Sequence, residues 1–236
     1  SGEGFDRATL TLLGKQNELL RALKATGKPL VVVYIEGRPL DKLWASENAD
    51  ALLTAFYPGQ QGGMAIADVL FGDYNPAGRL PMTVPRSLGQ IPIYYNKKAP
   101  LNHDYVEESA RPLYAFGYGL SYTSFKYSDL NIKRVSDKKY EVSFLVKNTG
   151  SRGGEEVSQL YLHDEYASVV QPLMQLKHFS RFYLQPGEEK KVTFTLDEAD
   201  FALVNAQYRQ VVEPGLFKVM VGASSDDIRL QQDIAL

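Results

Sequence analysis

The side chains able to do chemistry in this chain reduce to carboxylates. There is no cysteine, which removes thiolate nucleophiles, thiolate metal ligands and disulfides together. The three histidines, His103, His163 and His178, are scattered, and no His/Asp/Glu group has ligand spacing. No metal and no other cofactor is therefore expected. No serine sits in a Gly-x-Ser-x-Gly elbow, so acyl transfer is poorly supported. The run from Gly59 to Gly63 lacks the phosphate-loop lysine and the dinucleotide fingerprint. Its glycines read as sites of close helix packing.

Two acids stand where an open α/β sheet would place a ligand, beyond the carboxyl ends of its strands. Glu36 directly follows the apolar run Leu30–Ile35, and Glu3 lies in the loop before the first helix. A glutamate with a raised pKa can protonate a leaving oxygen, as glycoside hydrolysis requires. Each is also readable as an ordinary loop anion, which helix N-termini favour. The residues alone do not choose between Glu3 and Glu36, and neither shows a partner carboxylate.

The elements that would position these acids fall into two grammars. Residues 1 to about 86 alternate helix and strand. Leu12, Leu19, Leu20 and Leu23 recur at helical spacing, and Gly27 closes that helix. The β-branched run Leu30–Ile35 reads as a parallel strand buried on both faces, and Ala51–Phe56 repeats it more weakly. A helix after Gly63 ends at Gly72, Asn75-Pro76-Ala77-Gly78 has the chemistry of a type I turn, and Arg79–Val84 reads as an edge or irregular strand because Pro81 lacks a donor. Two or three strands are too few for a doubly wound sheet, and no strand precedes the first helix. Residues 1–86 are therefore expected to be the C-terminal half of an α/β domain.

Residues 87–125 lack periodicity and hold Tyr94, Tyr95, His103, Asp104, Tyr105, Glu107 and Glu108, the composition of a binding loop or of a surface linker. From residue 126 the pattern becomes all-β. Tyr140, Val142, Phe144 and Val146 alternate with polar residues, as do Val192, Phe194 and Leu196, and Phe217, Val219 and Val221. About seven short strands predict an immunoglobulin-like or fibronectin type III sandwich. The expected domains are 1–125 and 126–236. No exposed aromatic platform is evident in the sandwich strands, which read as structural.

The totals exclude other classes. A net charge of -2 argues against a general nucleic-acid or anionic-membrane binder. No apolar run approaches the length of a membrane-spanning helix, and the first residues do not form a signal peptide.

Several turn-rich blocks carry a resemblance. Gly2-Glu3-Gly4-Phe5-Asp6-Arg7 is followed by Gly37-Arg38-Pro39-Leu40, Pro58-Gly59-Gln60-Gln61-Gly62-Gly63 and Gly72-Asp73-Tyr74-Asn75-Pro76-Ala77-Gly78-Arg79-Leu80-Pro81. Leu113-Tyr114-Ala115-Phe116-Gly117-Tyr118-Gly119-Leu120-Ser121-Tyr122, Gln175-Leu176-Lys177-His178-Phe179 and Leu184-Gln185-Pro186-Gly187-Glu188 complete the series. In this order, over essentially the whole chain, they resemble the C-terminal part of a family 3 glycoside hydrolase of the bacterial periplasmic β-glucosidase type.

The resemblance implies a TIM-like barrel, an α/β sandwich domain and a fibronectin type III-like domain, of which the barrel and half of the α/β domain are not in these residues. It implies an exo-acting, retaining β-glucosidase with an aspartate nucleophile on the barrel and an acid/base on the α/β domain. That acid/base maps to Glu3, with Asp6 and Arg7 supporting its loop. It implies a β-linked glycoside as substrate, the missing barrel as partner, and a periplasmic or secreted location. The fragment alone is expected to be inactive. Position 36 is often Asn or a small polar residue in the family, and Asp104-Tyr105-Val106-Glu107 stands where Arg-Tyr-Phe-Asp is common. Glu36 thus stays a rival acid or a modifier of the site. The competing class is a non-catalytic carbohydrate-binding or structural module; in the first case Tyr94, Tyr95 and Tyr105 could stack on sugars.

Overall fold

A computed structural model describes residues 4, 7–98 and 103–236. The chain divides into two compact units. The first comprises Ser1–Tyr74, Val84–Ile93 and Asp104–Tyr114, and the second Asn75–Thr83, Tyr94–His103 and Ala115–Leu236.

In the first unit, α1 (Gln16–Ala25) leads to β1 (Val31–Tyr34), α2 (Leu43–Asn48), β2 (Ala51–Thr54) and α3 (Gly62–Phe71). The strands pair in parallel, from Val31 opposite Ala51 to Tyr34 opposite Thr54. Asp50 sets the start of the pair. Its carboxylate accepts Leu30 N–H at 2.7 Å, and its own N–H returns to Leu30 O at 2.8 Å. Leu12 and Leu20 pack on a small core of Leu30, Val32, Tyr34 and Ala45, while Leu19 and Leu23 stay exposed. Helix α3 stops at Gly72, whose φ of 84° few other residues adopt.

Three local expectations are corrected here. β1 is buried on one face only: Val32 and Tyr34 are inside, Val31 is exposed, and Ile35 just beyond the strand is exposed as well. The described residues supply one layer against the pair, so the pattern alternates. Residues 75–78 form no turn. The Asn75 side chain bonds across the chain instead, donating to Gly153 O at 3.0 Å and accepting Tyr122 N–H at 2.7 Å and the Ser121 hydroxyl at 3.0 Å. Residues 79–84 form no strand. Within the second unit Leu80 exchanges backbone bonds with Gly117 and Tyr118, and within the first Val84 makes a lone antiparallel bridge to Tyr114.

The second unit is a sandwich. Its strands are β3 (Phe125–Ser136), β4 (Lys139–Asn148), β5 (Gly154–Asp164), β6 (Gln175–Leu184) and β7 (Glu189–Leu196), then, after α4 (Glu198–Phe201) and the short pair β8 (Leu203–Val204) and β9 (Gln210–Val211), β10 (Leu216–Ser224) and β11 (Asp227–Ala235). One sheet runs β11-β10-β5-β6 and the other β3-β4-β7, with antiparallel neighbours throughout. Val142, Phe144 and Val146 of β4, Phe194 and Leu196 of β7 and Val219 and Val221 of β10 fill the space between the sheets. The period-2 patterns read from sequence are these inward faces.

The turn-rich blocks are straps on this sandwich. Arg79 Nη2 reaches Glu156 of β5 at 3.1 Å. Buried Gln159, also on β5, donates to Gly117 O at 3.2 Å and Ala223 O at 2.5 Å, and accepts the Tyr161 hydroxyl at 2.6 Å. Buried Asn148 closes the β4–β5 turn, donating to Arg152 O and Leu184 O and accepting Gly150 N–H and the Thr123 hydroxyl.

Candidate active site

The carboxyl ends of β1 and β2 are built from the loop Ile35–Lys42, the loop Ala55–Gln61, and the segment that precedes α1. Glu3 and Asp6 lie outside the described residues. Arg7 turns back on its own segment, its guanidinium donating to Thr11 O. Leu10 O accepts the Asp41 N–H at 2.8 Å, which ties this segment to the loop after β1. Asp41 Oδ1 in turn accepts the Leu43 N–H at 3.1 Å, at the start of α2.

Glu36 and Lys42 lie side by side at the same end of the sheet. Lys42 Nζ is 2.5 Å from Glu36 Oε1 and 2.7 Å from Oε2, and the side chains are 3% and 2% exposed. Leu40 N–H and the Thr54 hydroxyl each add a bond to the carboxylate at 3.2 Å. Burial lowers the Lys42 pKa, and the hydrogen bond and charge of Glu36 oppose that shift. The ammonium also lies 4.5 Å from the centre of the Tyr34 ring. The Tyr34 hydroxyl is pushed up to about 12, by burial first and by the charge of Glu36 second, and its oxygen is buried without a hydrogen-bond partner among the described residues. Each oxygen of the Glu36 carboxylate thus accepts two hydrogen bonds.

The loop after β2 is strained. Phe56 takes φ 48°, a left-handed value that costs a bulky residue energy. The bond from Glu36 N–H to Phe56 O at 3.2 Å holds it there. Beside the Leu10–Asp41 tether lies an open cavity of ≈ 340 Å³ lined by Thr9, Thr11, Trp44, Arg86 and Leu88, among others. Neither the strain nor the Glu36–Lys42 pair was foreseen from sequence. A lysine six residues after an acid is a faint signal of pairing in a loop.

The aperiodic segment resolves into packing more than platform. Tyr95 stacks on Phe116 at 4.1 Å, meets Tyr161 edge-on at 6.1 Å, and accepts Leu176 N–H on its hydroxyl. Its ring is half-buried in these contacts. Tyr94 is exposed, and Tyr105 is exposed but bonded to Gly89 O. Asp104 closes a local turn, its carboxylate accepting Ala110 N–H and the Ser109 hydroxyl, and the first of these holds its pKa below the usual value. Conversely, Phe179 and Tyr183 are exposed on one face of β6, where no aromatic platform was expected. No group of metal-ligating residues occurs among the described residues. His163 bonds Pro172 O and His178 bonds Asp200. No helix among the described residues is long and apolar enough to cross a membrane.

Residues 1–122 match the glycosyl hydrolase family 3 C-terminal domain. The chain belongs to that family. Residues 156–225 match the fibronectin type III-like domain, in agreement with the sandwich. The chain is 45% identical to a periplasmic β-glucosidase of Salmonella typhimurium, over 96% of this chain and 32% of that protein. It is 44% identical to a β-xylosidase of Formosa agariphila, over 97% and 33%. Among solved structures, a β-glucosidase from Erythrobacter marinus superposes with a TM-score of 0.93 at 45% identity, over 98% of this chain and 31% of that one. A mutant β-glucosidase from Listeria innocua in complex with laminaribiose gives 0.93 at 38% identity, over 99% and 34%. The chain therefore spans about a third of the length of the relatives it matches. The α/β-plus-sandwich fold class read from sequence is borne out.

Proposed function

We propose that the chain is the C-terminal part of an exo-acting, retaining β-glucosidase that releases terminal β-D-glucosyl residues. Glu3 serves as acid/base, and the nucleophile comes from a barrel domain outside these residues. The supporting observation is the Leu10–Asp41 bond. It keeps the segment downstream of Glu3 at the carboxyl ends of the parallel strands, the place where open α/β sheets bind ligands. The enclosure of Glu36 by Lys42, Leu40 and Thr54 supports the same assignment, because both oxygens of the rival acid are already engaged.

In this reading Glu3 protonates the departing oxygen while the nucleophile forms a glycosyl–enzyme bond. It then deprotonates the water that hydrolyses that bond. The two carboxyl groups must stand about 5–5.5 Å apart for such chemistry. A protein lacking the nucleophile cannot complete the first step, so residues 1–236 alone are inactive. The domain division is 1–125 and 126–236, and the enzyme works in the periplasm or outside the cell, as the Salmonella relative's name supports.

Assay of the full-length protein on aryl β-glucosides and β-xylosides tests the proposal. It predicts glucosidase turnover that releases glucose first as the β-anomer, with the xyloside slower, and no turnover by residues 1–236. An α-anomer product, a preference for xyloside, or activity in the fragment contradicts it. A second reading, a sugar-binding module, draws on exposed Phe179 and Tyr183 of β6. Retention of the fragment on a β-glucan gel, lost on Phe179→Ala, would favour it.

A further inference from the structure

Two opposite charges buried together are expensive to desolvate, and the packing of β1 on β2 does not call for them. Their placement supplies a reason. Glu36 follows β1 by two residues, Thr54 ends β2, and Lys42 immediately precedes α2. The pair therefore pins both ends of the loop Gly37–Asp41 across the carboxyl ends of the two strands. Leu40 N–H, inside that loop, binds the same carboxylate at 3.2 Å. One residue further on, Asp41 N–H holds Leu10 O at 2.8 Å.

We infer that Glu36 and Lys42 are positioning residues for proton transfer: they fix the loop whose Asp41 amide holds Leu10, in the segment downstream of Glu3. The inference rests on the reading of Glu3 as the acid/base. Both side chains are buried, 3% and 2% exposed, and the inference gives neither a contact with substrate. A small shift in a proton donor is enough to lower its efficiency, because general acid catalysis depends on hydrogen-bond reach to the leaving oxygen.

The test uses the full-length protein with Glu36→Gln and two aryl β-glucosides that differ only in leaving group. A dinitrophenolate departs without protonation, and a simple phenolate needs it. The inference predicts that kcat/KM on the phenyl glucoside falls by about 10- to 100-fold. On the dinitrophenyl glucoside it changes by less than about twofold, and azide leaves the variant's rate and product unchanged because Glu3 is intact. Thr54→Val removes one hydrogen bond from the same carboxylate while keeping both charges. It shifts the ratio the same way by a smaller factor, and it carries the test should Glu36→Gln fail to fold. Equal loss on both substrates, or loss on neither, overturns the inference and leaves the glucosidase reading standing. Azide rescue of Glu36→Gln as β-glycosyl azide would make Glu36 the acid/base and overturn it as well. A silent wild type removes the glucosidase reading and this inference together.

Discussion

Arg79 Nη2 donates to Glu156 Oε2 at 3.1 Å, with the two side chains only 9% and 3% exposed. The other oxygen of Glu156 accepts the Tyr127 hydroxyl at 2.9 Å, and Ser158 donates to that hydroxyl at 3.0 Å. A strap residue is thus joined to the inner polar layer of the sandwich. Burial pushes the Tyr127 hydroxyl up, and the charge of Glu156 adds to the effect.

Removing Glu156 should be expensive. Glu156→Leu leaves the Arg79 guanidinium buried without its partner and takes the acceptor from Tyr127. The expected loss is about 3–5 kcal/mol. It is read as a lower urea midpoint with an unchanged m-value. The double variant Arg79→Met/Glu156→Leu should recover a substantial part of that loss, since it leaves no lone charge.

Gly117→Ala should fail for two reasons at once. Gly117 has φ 80°, and an added Cβ would stand 2.1 Å from Gln159 Oε1. The backbone conformation alone costs an L-residue about 1–2 kcal/mol. Displacing Gln159 from Gly117 O and Ala223 O adds to it. A fall in Tm is expected for the single variant. In a cycle with Gln159→Ala the two losses should be clearly less than additive. Full additivity would contradict the contact.

Asp50 makes a pH prediction. Its carboxyl is held below its ordinary 3.8, first by Leu30 N–H and then by Lys24. A depressed folded pKa contributes stability that is complete above the unfolded value. That stability is lost as pH falls through the folded one. The wild type should therefore lose stability progressively below about pH 4. Asp50→Asn should be less stable than wild type at neutral pH and show a shallower decline in the same acid window. Identical acid limbs would show that Asp50 does not register β1 on β2.

Much of this architecture was legible in the sequence because its signals are local. The alternation of Tyr140 to Val146 can only be a half-buried strand, and Gly72 ends a helix wherever it falls at left-handed φ. The errors came where distant partners decide. Asn75-Pro76-Ala77-Gly78 has turn chemistry, yet Gly153, Ser121 and Tyr122 take up the Asn75 side chain and the turn does not form. Tyr95 reads as a loop aromatic until Phe116 and Tyr161 close on it. At the candidate site Glu36 was visible as an acid beyond a strand. Its enclosure by Lys42 and Thr54 depends on a loop closing over two strand ends, which no spacing rule encodes.

The central claim is that Glu3 carries the proton, and one comparison tests it most directly. The full-length protein and its Glu3→Ala variant are assayed on an activated aryl β-glucoside with and without azide. The account predicts that turnover falls by at least about a hundredfold in the variant, and that azide restores it with β-glycosyl azide as product. Near-normal turnover in Glu3→Ala, or loss that azide does not restore, would contradict it.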